Sequence, residues 1–196
     1  MKKLLTVVVL FAALMTAVPA KAEVKFGLKG GLNLTNMRFD SSVADKSNQA
    51  GFFIGPTVKF TVPIVGLGFD ASALYDQRKA KVDDTSIKQQ SIQIPINIRY
   101  GIGLGSTASI YFFAGPQFGF NVGDKDIKTE VGNWTFKSSN VSANAGVGLM
   151  LLGHLQVSAN YNFGLGKTGE FEGNIPGAAK ENGKLNAWQI GVAYFF

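Results

Sequence analysis

The stretch that decides the fold is LNAWQIGVAYFF, residues 185–196. Bulky apolar side chains occur at every second position, and small or polar side chains lie between them. The bulky set is Trp188, Ile190, Val192, Tyr194 and Phe196, and the small set is Gln189, Gly191 and Ala193. A period of two indicates a β-strand with two different faces. The strands of transmembrane barrels alternate in this way, because one face meets lipid and the other meets the interior.

Seven earlier segments repeat this pattern and supply partners for the closing strand. They are residues 23–34, 51–62, 66–79, 92–102, 108–122, 141–152 and 154–165. The fourth is the most regular, with isoleucine at positions 92, 94, 96 and 98. The period of an amphipathic helix does not occur among them. The sequence therefore predicts an all-β fold, an eight-stranded antiparallel up-and-down transmembrane β-barrel.

The connectors between these segments alternate in length. Those near 63–65, 103–107 and 152–154 are short, whereas those near 35–50, 80–90, 123–140 and 166–184 are long, polar and charged. Barrels of the outer membrane have short periplasmic turns and longer extracellular loops. Because an even number of strands brings both termini to the same side, we expect the N- and C-termini in the periplasm and the long loops outside the cell.

The N-terminus predicts export of the chain. A short basic start, MKK, is followed by the apolar run 4–17 and then by small residues. This is the pattern of a secretory signal peptide, and Ala20 and Ala22 mark its cleavage site. We expect a signal peptide over 1–22 and one barrel domain over 23–196, in the outer membrane of a Gram-negative bacterium. The chain contains no cysteine, so disulfide bonds do not contribute to its stability.

Side-chain size and charge indicate which face is the interior. One face is bulky, and the other is rich in Gly, Ser and Asn, which suits a narrow eight-stranded lumen. The bulky face carries no charge through its central span, and a Lys or Arg there would cost ~2–4 kcal/mol at the membrane midplane. We therefore expect the bulky face to meet lipid and the charged strand residues to form a structural polar network in the lumen. These residues are Lys29, Lys59, Asp70, Asp76, Arg78 and Arg99.

Asp70 and Arg99 lie about equally far from the connector near 80–90, in strands predicted to be neighbours. We therefore expect them to face each other across the ladder as an ion pair. The simpler interpretation is that this ion pair has only a structural role, because buried charges need partners. A narrow ion path that also includes Lys29 and Lys59 is the alternative.

Three prolines, Pro56, Pro95 and Pro116, lie inside the predicted strands. Proline cannot donate to a sheet ladder, and a closed barrel has no edge strand that would tolerate it. We interpret these positions as local β-bulges.

Six segments carry a resemblance to a known family. They are GLKGGLNLT (27–35), ALYDQRKAK (73–81), SIQIPINIRYGIG (91–103), YFFAGPQFGF (111–120), SANYNFGLGKT (158–168) and WQIGVAYFF (188–196). With them the chain resembles the PorT-like outer-membrane β-barrel family of Bacteroidetes, which is similar in architecture to OmpX-type barrels. The resemblance implies that the barrel-assembly machinery reads the closing strand during insertion. It also implies, as one alternative, an accessory role in secretion or gliding.

Nothing in the chain indicates catalysis. The sequence shows no recognisable arrangement of a nucleophile with a general base. The single histidine, His154, falls in a short turn. We expect no enzymatic activity, no cofactor and no metal. The formal net charge is +6, but three of the lysines belong to the predicted signal peptide and the rest alternate with acidic residues. This pattern argues against nucleic-acid binding.

The sequence therefore predicts an integral outer-membrane barrel with a plugged lumen and a structural or surface-interaction role in the cell envelope. Trp134, Phe136, Phe171 and Ile175 in the long connectors are candidate contact residues. The expected partners are outer-membrane lipid, lipopolysaccharide and other envelope proteins, and the expected state is a monomer. A small, low-conductance, porin-like pore is the main alternative.

Overall fold

The computed structural model describes residues 23–39, 49–62, 66–82, 85–123, 126–128, 132–136, 138–166, 169–173 and 181–196. All regular structure in these residues is β-strand: β1 (Glu23–Phe39), β2 (Gln49–Val62), β3 (Leu67–Ser72), β4 (Leu74–Val82), β5 (Thr85–Gly103), β6 (Ala108–Asn121), β7 (Asp126–Lys128), β8 (Gly132–Phe136), β9 (Ser139–Leu151), β10 (Leu155–Gly164), β11 (Gly169–Gly173) and β12 (Glu181–Phe195). None of the described residues belongs to a helix of the length and apolarity needed to cross a membrane. The predicted signal peptide, with Ala20 and Ala22, lies outside the described residues.

The predicted eight-stranded antiparallel barrel is confirmed. Around the wall the order is β1, β2, β3 continued by β4, β5, β6, β9, β10 and β12. The ring closes where β12 pairs with β1, from Gly27 opposite Phe195 to Phe39 opposite Gly183. Each wall strand pairs with the next wall strand along the chain, so the topology is up-and-down.

The two faces of the wall differ as the sequence indicated. Bulky side chains point outward, and Phe26 and Ile190 expose 66% and 60% of their surface. Polar side chains point inward, and Asn162 and Gln93 expose only 0% and 2%. Because an eight-stranded barrel is just wide enough for side chains to fill it, its interior is a packed polar core.

The three prolines interrupt single ladders without adding a residue, so the expectation of bulges was wrong. Pro56, Pro95 and Pro116 each lie inside a gap in one of their two ladders, and Pro95 also borders the gap that contains Pro116. At every gap the same number of residues, three steps, separates the paired positions on both strands. The missing amide hydrogen removes a ladder bond, but the register continues. Pro56 and Pro95 flank the break at Ala73 that separates β3 from β4.

The two ends of the barrel are connected differently. At one end, called the turn end below, three or four residues join β2 to β3, β5 to β6 and β9 to β10. At the opposite end, the loop end, the sequence predicts a long connector near 80–90. Instead, β4 and β5 continue until Val82 pairs with Thr85, which leaves two residues between them.

Three further strands extend the sheet at the loop end, where the sequence predicts loops. β11 pairs with the first residues of β12 and with β8, and β8 pairs with β7. Beyond the membrane both faces of a strand meet water, so the period-two signal that identifies a wall strand is lost. Trp134 and Phe171 lie opposite each other in the β8–β11 pair, Phe136 lies in β8, and Ile175 lies outside the described residues.

Candidate functional site in the barrel lumen

The six charged residues expected in the lumen all lie inside the wall, and each exposes 8% or less of its surface. They point inward because each occupies the small-residue side of the two-residue period in its strand. They form two groups. Lys29, Lys59, Asp70 and Arg99 lie toward the turn end, and Asp76 and Arg78 lie toward the loop end.

A continuous chain of side-chain hydrogen bonds crosses the loop-end half, and we call it the amide network. From one end to the other it contains Ser91, Gln93, Gln117, Asn144, Asn162, Arg78, Asp76 and Asn33, with donor–acceptor distances of 2.8–3.3 Å. These residues come from β5, β6, β9, β10, β4 and β1. Since they bond to one another across most of the wall, the network ties neighbouring and distant strands together.

Arg78 makes the amide network span the barrel. Its Nε donates to Asp76 Oδ1 within β4, and its Nη1 donates to Asn162 Oδ1 on β10, both at 3.0 Å. In the ring of eight wall strands, β4 belongs to the third position and β10 to the seventh, so this bond joins opposite walls. Asp76 Oδ2 also accepts from Asn33 Nδ2 on β1 at 3.3 Å. The carboxylate is therefore held by a guanidinium and an amide.

The predicted Asp70–Arg99 pair forms, but not directly across the ladder. The residue opposite Asp70 is Asn97, whose Nδ2 donates to Asp70 Oδ1 at 2.8 Å. Arg99 lies two residues further along β5, and its Nη1 is 3.9 Å from Asp70 Oδ2. The difference arises because the turn between β4 and β5 is centred between Val82 and Thr85, nearer the N-terminus than the middle of the predicted connector, which shifts the register. On the other side of β3, Lys59 lies opposite Asp70.

Three buried cations in the turn-end half each lie over an aromatic ring. The distances to the ring centroids are 4.1 Å from Arg99 Cζ to Tyr111, 4.8 Å from Lys59 Nζ to Phe195 and 6.0 Å from Lys29 Nζ to Phe113. Such contacts contribute roughly 0.5–2 kcal/mol each, more when the cation is desolvated. Arg99 Nη1 also donates to Gln156 Oε1 at 3.1 Å. Of these three cations, Arg99 therefore has both a ring contact and a hydrogen bond.

The sequence did not indicate the inward aromatics as members of this site. Phe53, Tyr111, Phe113 and Phe195 each expose 6% or less of their surface. Each lies directly opposite a glycine of a neighbouring strand, namely Gly31, Gly148, Gly146 and Gly27 respectively. A β-carbon on Gly146 would lie 2.6 Å from Phe113 Cζ, so the ring fills the space of the missing side chain. These residues could be recognised from the pairing of each aromatic with a glycine on the neighbouring strand. That pairing can be identified only once the strand register is known.

A small cavity lies between the amide network and the cations. Its polar lining consists of Lys29, Asn97, Gln117, Asn144, Asn160 and Gln189, and Phe53, Leu74, Pro95 and Phe113 complete it. It has room for about one water molecule. Asn160 Nδ2 donates to Gln189 Oε1 at 2.8 Å, and Asn97 Oδ1 is buried with no hydrogen-bond partner among the described residues.

The other singled-out residues lie at the turn end and on the outer surface. His154 lies in the turn between β9 and β10, where its Nδ1 is 2.7 Å from the carbonyl oxygen of Leu152. The five bulky residues of the closing strand point outward and are exposed: Trp188, Ile190, Val192, Tyr194 and Phe196. Across the described ranges, no three or more His, Cys, Asp or Glu side chains group closely enough to hold a metal ion.

Known proteins share this architecture. A family model described as the outer membrane protein beta-barrel domain matches residues 5–196. Neisserial surface protein A superposes with a TM-score of 0.51 at 14% identity, over 89% of this chain and 99% of that chain. The attachment invasion locus protein Ail of Yersinia pestis, in complex with the heparin analogue sucrose octasulfate, gives 0.45 at 14% identity over 89% and 99%. The N-terminal barrel domain of Pseudomonas aeruginosa OprF gives 0.40 at 14% identity over 86% and 97%.

No protein with a curated description matches this chain. At 14% identity, the structure of Neisserial surface protein A supports the fold alone. The narrower PorT-like assignment stays a prediction. The family match covers nearly the whole sequence. Together with the closed eight-stranded wall, it shows that the chain belongs to the outer membrane protein beta-barrel domain family.

Proposed function

We propose that this protein is a closed scaffold of the outer membrane, with a lumen plugged by its own side chains and a loop end that interacts with other envelope components. The amide network supports the plug most directly, because Arg78 bonds to Asn162 on the opposite wall. A conducting pore needs a continuous water-filled path, whereas in this barrel buried polar groups bond mainly to one another. Polar side chains arranged in this way stabilise the wall.

The loop end supports the interaction role. β11, β8 and β7 extend the sheet from β12 and form a hydrogen-bonded surface beyond the wall. Loops on a rigid scaffold are where binding residues concentrate. We place this end outside the cell and both termini in the periplasm, because short turns in outer-membrane barrels face the periplasm. Partners at this end would be lipopolysaccharide or other envelope proteins.

Planar-bilayer recording of the refolded protein tests the plug. We expect no discrete openings from the wild type, and openings from Arg78→Ala, which removes the bond between opposite walls. Lys88→Ala is the matched control, since Lys88 is exposed and outside the amide network. Steady openings of the wild-type protein would contradict a plugged lumen.

A low-conductance pore is the second candidate, and the charge of the turn-end half favours it. Lys29, Lys59 and Arg99 accompany a single carboxylate, Asp70. Such a path would select anions, and Lys59→Ala or Arg99→Ala would change its selectivity. An accessory role in secretion or gliding rests on the resemblance alone.

Replacing residues 124–137 by a short turn tests the interaction role separately. The variant removes β7 and β8 but keeps β6 and β9 in the wall. In phospholipid nanodiscs, we expect the wild type to bind purified lipopolysaccharide more tightly than the variant. Equal binding by two correctly folded barrels would contradict a role of these strands in lipopolysaccharide recognition.

A further inference from the structure

The turn-end half of the lumen contains more positive than negative charge. Lys29 and Lys59 both interact electrostatically with Asp70 and with Arg99, and Lys59 also interacts with Glu23. Among the described residues, Asp70 is the one carboxylate that acts on Lys29. Asp70 is itself already occupied, by the amide of Asn97 and by the Arg99 guanidinium. Charges buried in a low-dielectric interior require compensation.

The other described carboxylates do not compensate Lys29. Asp76 is held by Arg78 and Asn33 in the amide network. Glu23 lies at the rim with a half-exposed side chain, where it pairs with Lys25 at 3.0 Å. Among the described residues, Lys29 makes neither a hydrogen bond nor an ion pair although it exposes only 8% of its surface. Its ring contact of 6.0 Å lies at the limit of the cation–π range.

Lys29 also lines the small cavity, together with five side-chain amides. Each amide nitrogen carries two hydrogens. Those of Asn144, Asn160 and Gln117 each use one in a hydrogen bond to a neighbouring residue, so each keeps a second N–H group on a side chain that lines the same cavity as Lys29. An ammonium with amide N–H groups around a space of about one water molecule is suited to a small anion.

We infer that this cavity binds a small inorganic anion of chloride size, in contact with Lys29 Nζ. The anion compensates one of the excess positive charges, and the neighbouring amides complete its coordination. Multi-atom anions such as sulfate or gluconate are too large for this space. Asn97 Oδ1, the unpartnered acceptor on the cavity wall, favours a different occupant, a water molecule shared with Lys29, and the experiment separates the two.

Crystals of the wild-type protein grown in sodium bromide test the site directly. Bromide scatters anomalously, so an anomalous peak next to Lys29 Nζ is the expected result. A density peak at that position without anomalous signal identifies water and overturns the inference, as does an empty cavity. This measurement needs no variant and is independent of whether the lumen conducts.

Thermal unfolding in detergent provides the second test, in sodium chloride and in sodium gluconate at equal ionic strength. We expect chloride to raise the midpoint of the wild type by ~3–6 °C at a tenfold excess over its Kd. Lys29→Met should lose this chloride dependence, whereas Lys88→Met, the same change at an exposed lysine, should keep it. Equal midpoints of the wild type in the two salts, or a dependence that survives in Lys29→Met, would overturn the inference.

Discussion

Among the side chains that the structure describes, the buried charges in the loop-end half of the lumen are opposite in sign and equal in number, whereas in the turn-end half cations outnumber carboxylates. Asp76 and Arg78 form a 3.0 Å ion pair inside the amide network. Arg99 and Asp70 are 3.9 Å apart, and Arg99 relies on the Tyr111 ring and Gln156 for its other contacts. One half therefore holds its charges by hydrogen bonds, and the other largely by stacking on rings.

This difference arises from the inward-facing residues that surround each arginine at its height along the barrel. Asn and Gln dominate the inward positions around Arg78, and they donate and accept with short side chains that match the ladder spacing. Around Arg99 the inward positions hold aromatics paired with glycines, so there are few acceptors and many ring faces. Loss of a charged residue should accordingly be more costly in the loop-end half.

The largest expected difference between the two halves of the lumen is the stability cost of losing their arginines. Arg78→Ala leaves the Asp76 carboxylate buried without its cation and Asn162 Oδ1 without its donor, so we expect a loss of ~3–5 kcal/mol in the free energy of unfolding. Arg99→Ala removes a hydrogen bond, a ring contact and the 3.9 Å pair with Asp70. Asp70 keeps the hydrogen bond from Asn97 and has the Lys59 charge on the neighbouring strand, so we expect ~1–3 kcal/mol. Urea unfolding in detergent micelles measures both.

Lys88→Ala is the control for this pair, because Lys88 is exposed at the loop end and should change the free energy of unfolding by less than ~0.5 kcal/mol. A cost for Arg99→Ala equal to or larger than that for Arg78→Ala would contradict the contrast between the two halves.

The glycine–aromatic pairs of the turn-end half give the next effect. A β-carbon on Gly148 meets the Tyr111 ring and the backbone of Val157, so Gly148→Ala should cost ~1–3 kcal/mol through overpacking. In a Tyr111→Ala background the same change should cost less, because the ring no longer occupies that space. Gly101→Ala is the matched control, since its nearest atoms are 3.6–3.9 Å from the added β-carbon. Equal costs for Gly148→Ala in both backgrounds would show that the backbone contact, not the ring, sets the penalty.

The wall and its two faces were predictable from sequence because lipid imposes one constraint on every second residue. That constraint identified the eight strands and placed Lys29, Asp76 and the other four charged residues inside. The contacts among them were not predictable, because they depend on register and curvature. The bond from Arg78 to Asn162 joins residues 84 positions apart on opposite walls, and no local pattern encodes that crossing.

The register error at Asp70 has the same origin. The centre of the connector between β4 and β5 lies nearer the N-terminus than predicted, and this moved the residue opposite Asp70 from Arg99 to Asn97. The strands of the loop end were missed for another reason, since water on both sides of a strand removes the alternation. The sequence therefore predicts strands best in the part of the barrel where the two faces of a strand meet different surroundings.

The smallest expected effect distinguishes a network from an isolated pair of amides. Asn144 lies in the middle of the amide network, donating to Gln117 Oε1 at 2.9 Å and accepting from Asn162 Nδ2 at 2.8 Å. Among the described residues, Asn160 bonds to Gln189 alone, at 2.8 Å. Asn144→Ala leaves Gln117 Oε1 without its donor and removes one of the two acceptors of Asn162 Nδ2, which still donates to Ser142 Oγ, so it should cost ~1–2 kcal/mol. Asn160→Ala leaves one acceptor without its donor and should cost ~0.5–1 kcal/mol. The two variants delete the same atoms at neighbouring positions of the cavity wall, so differences in side-chain size cancel when their unfolding in urea is compared. Equal losses would mean that the amides act as independent pairs and that Arg78 alone, not a connected network, joins the opposite walls.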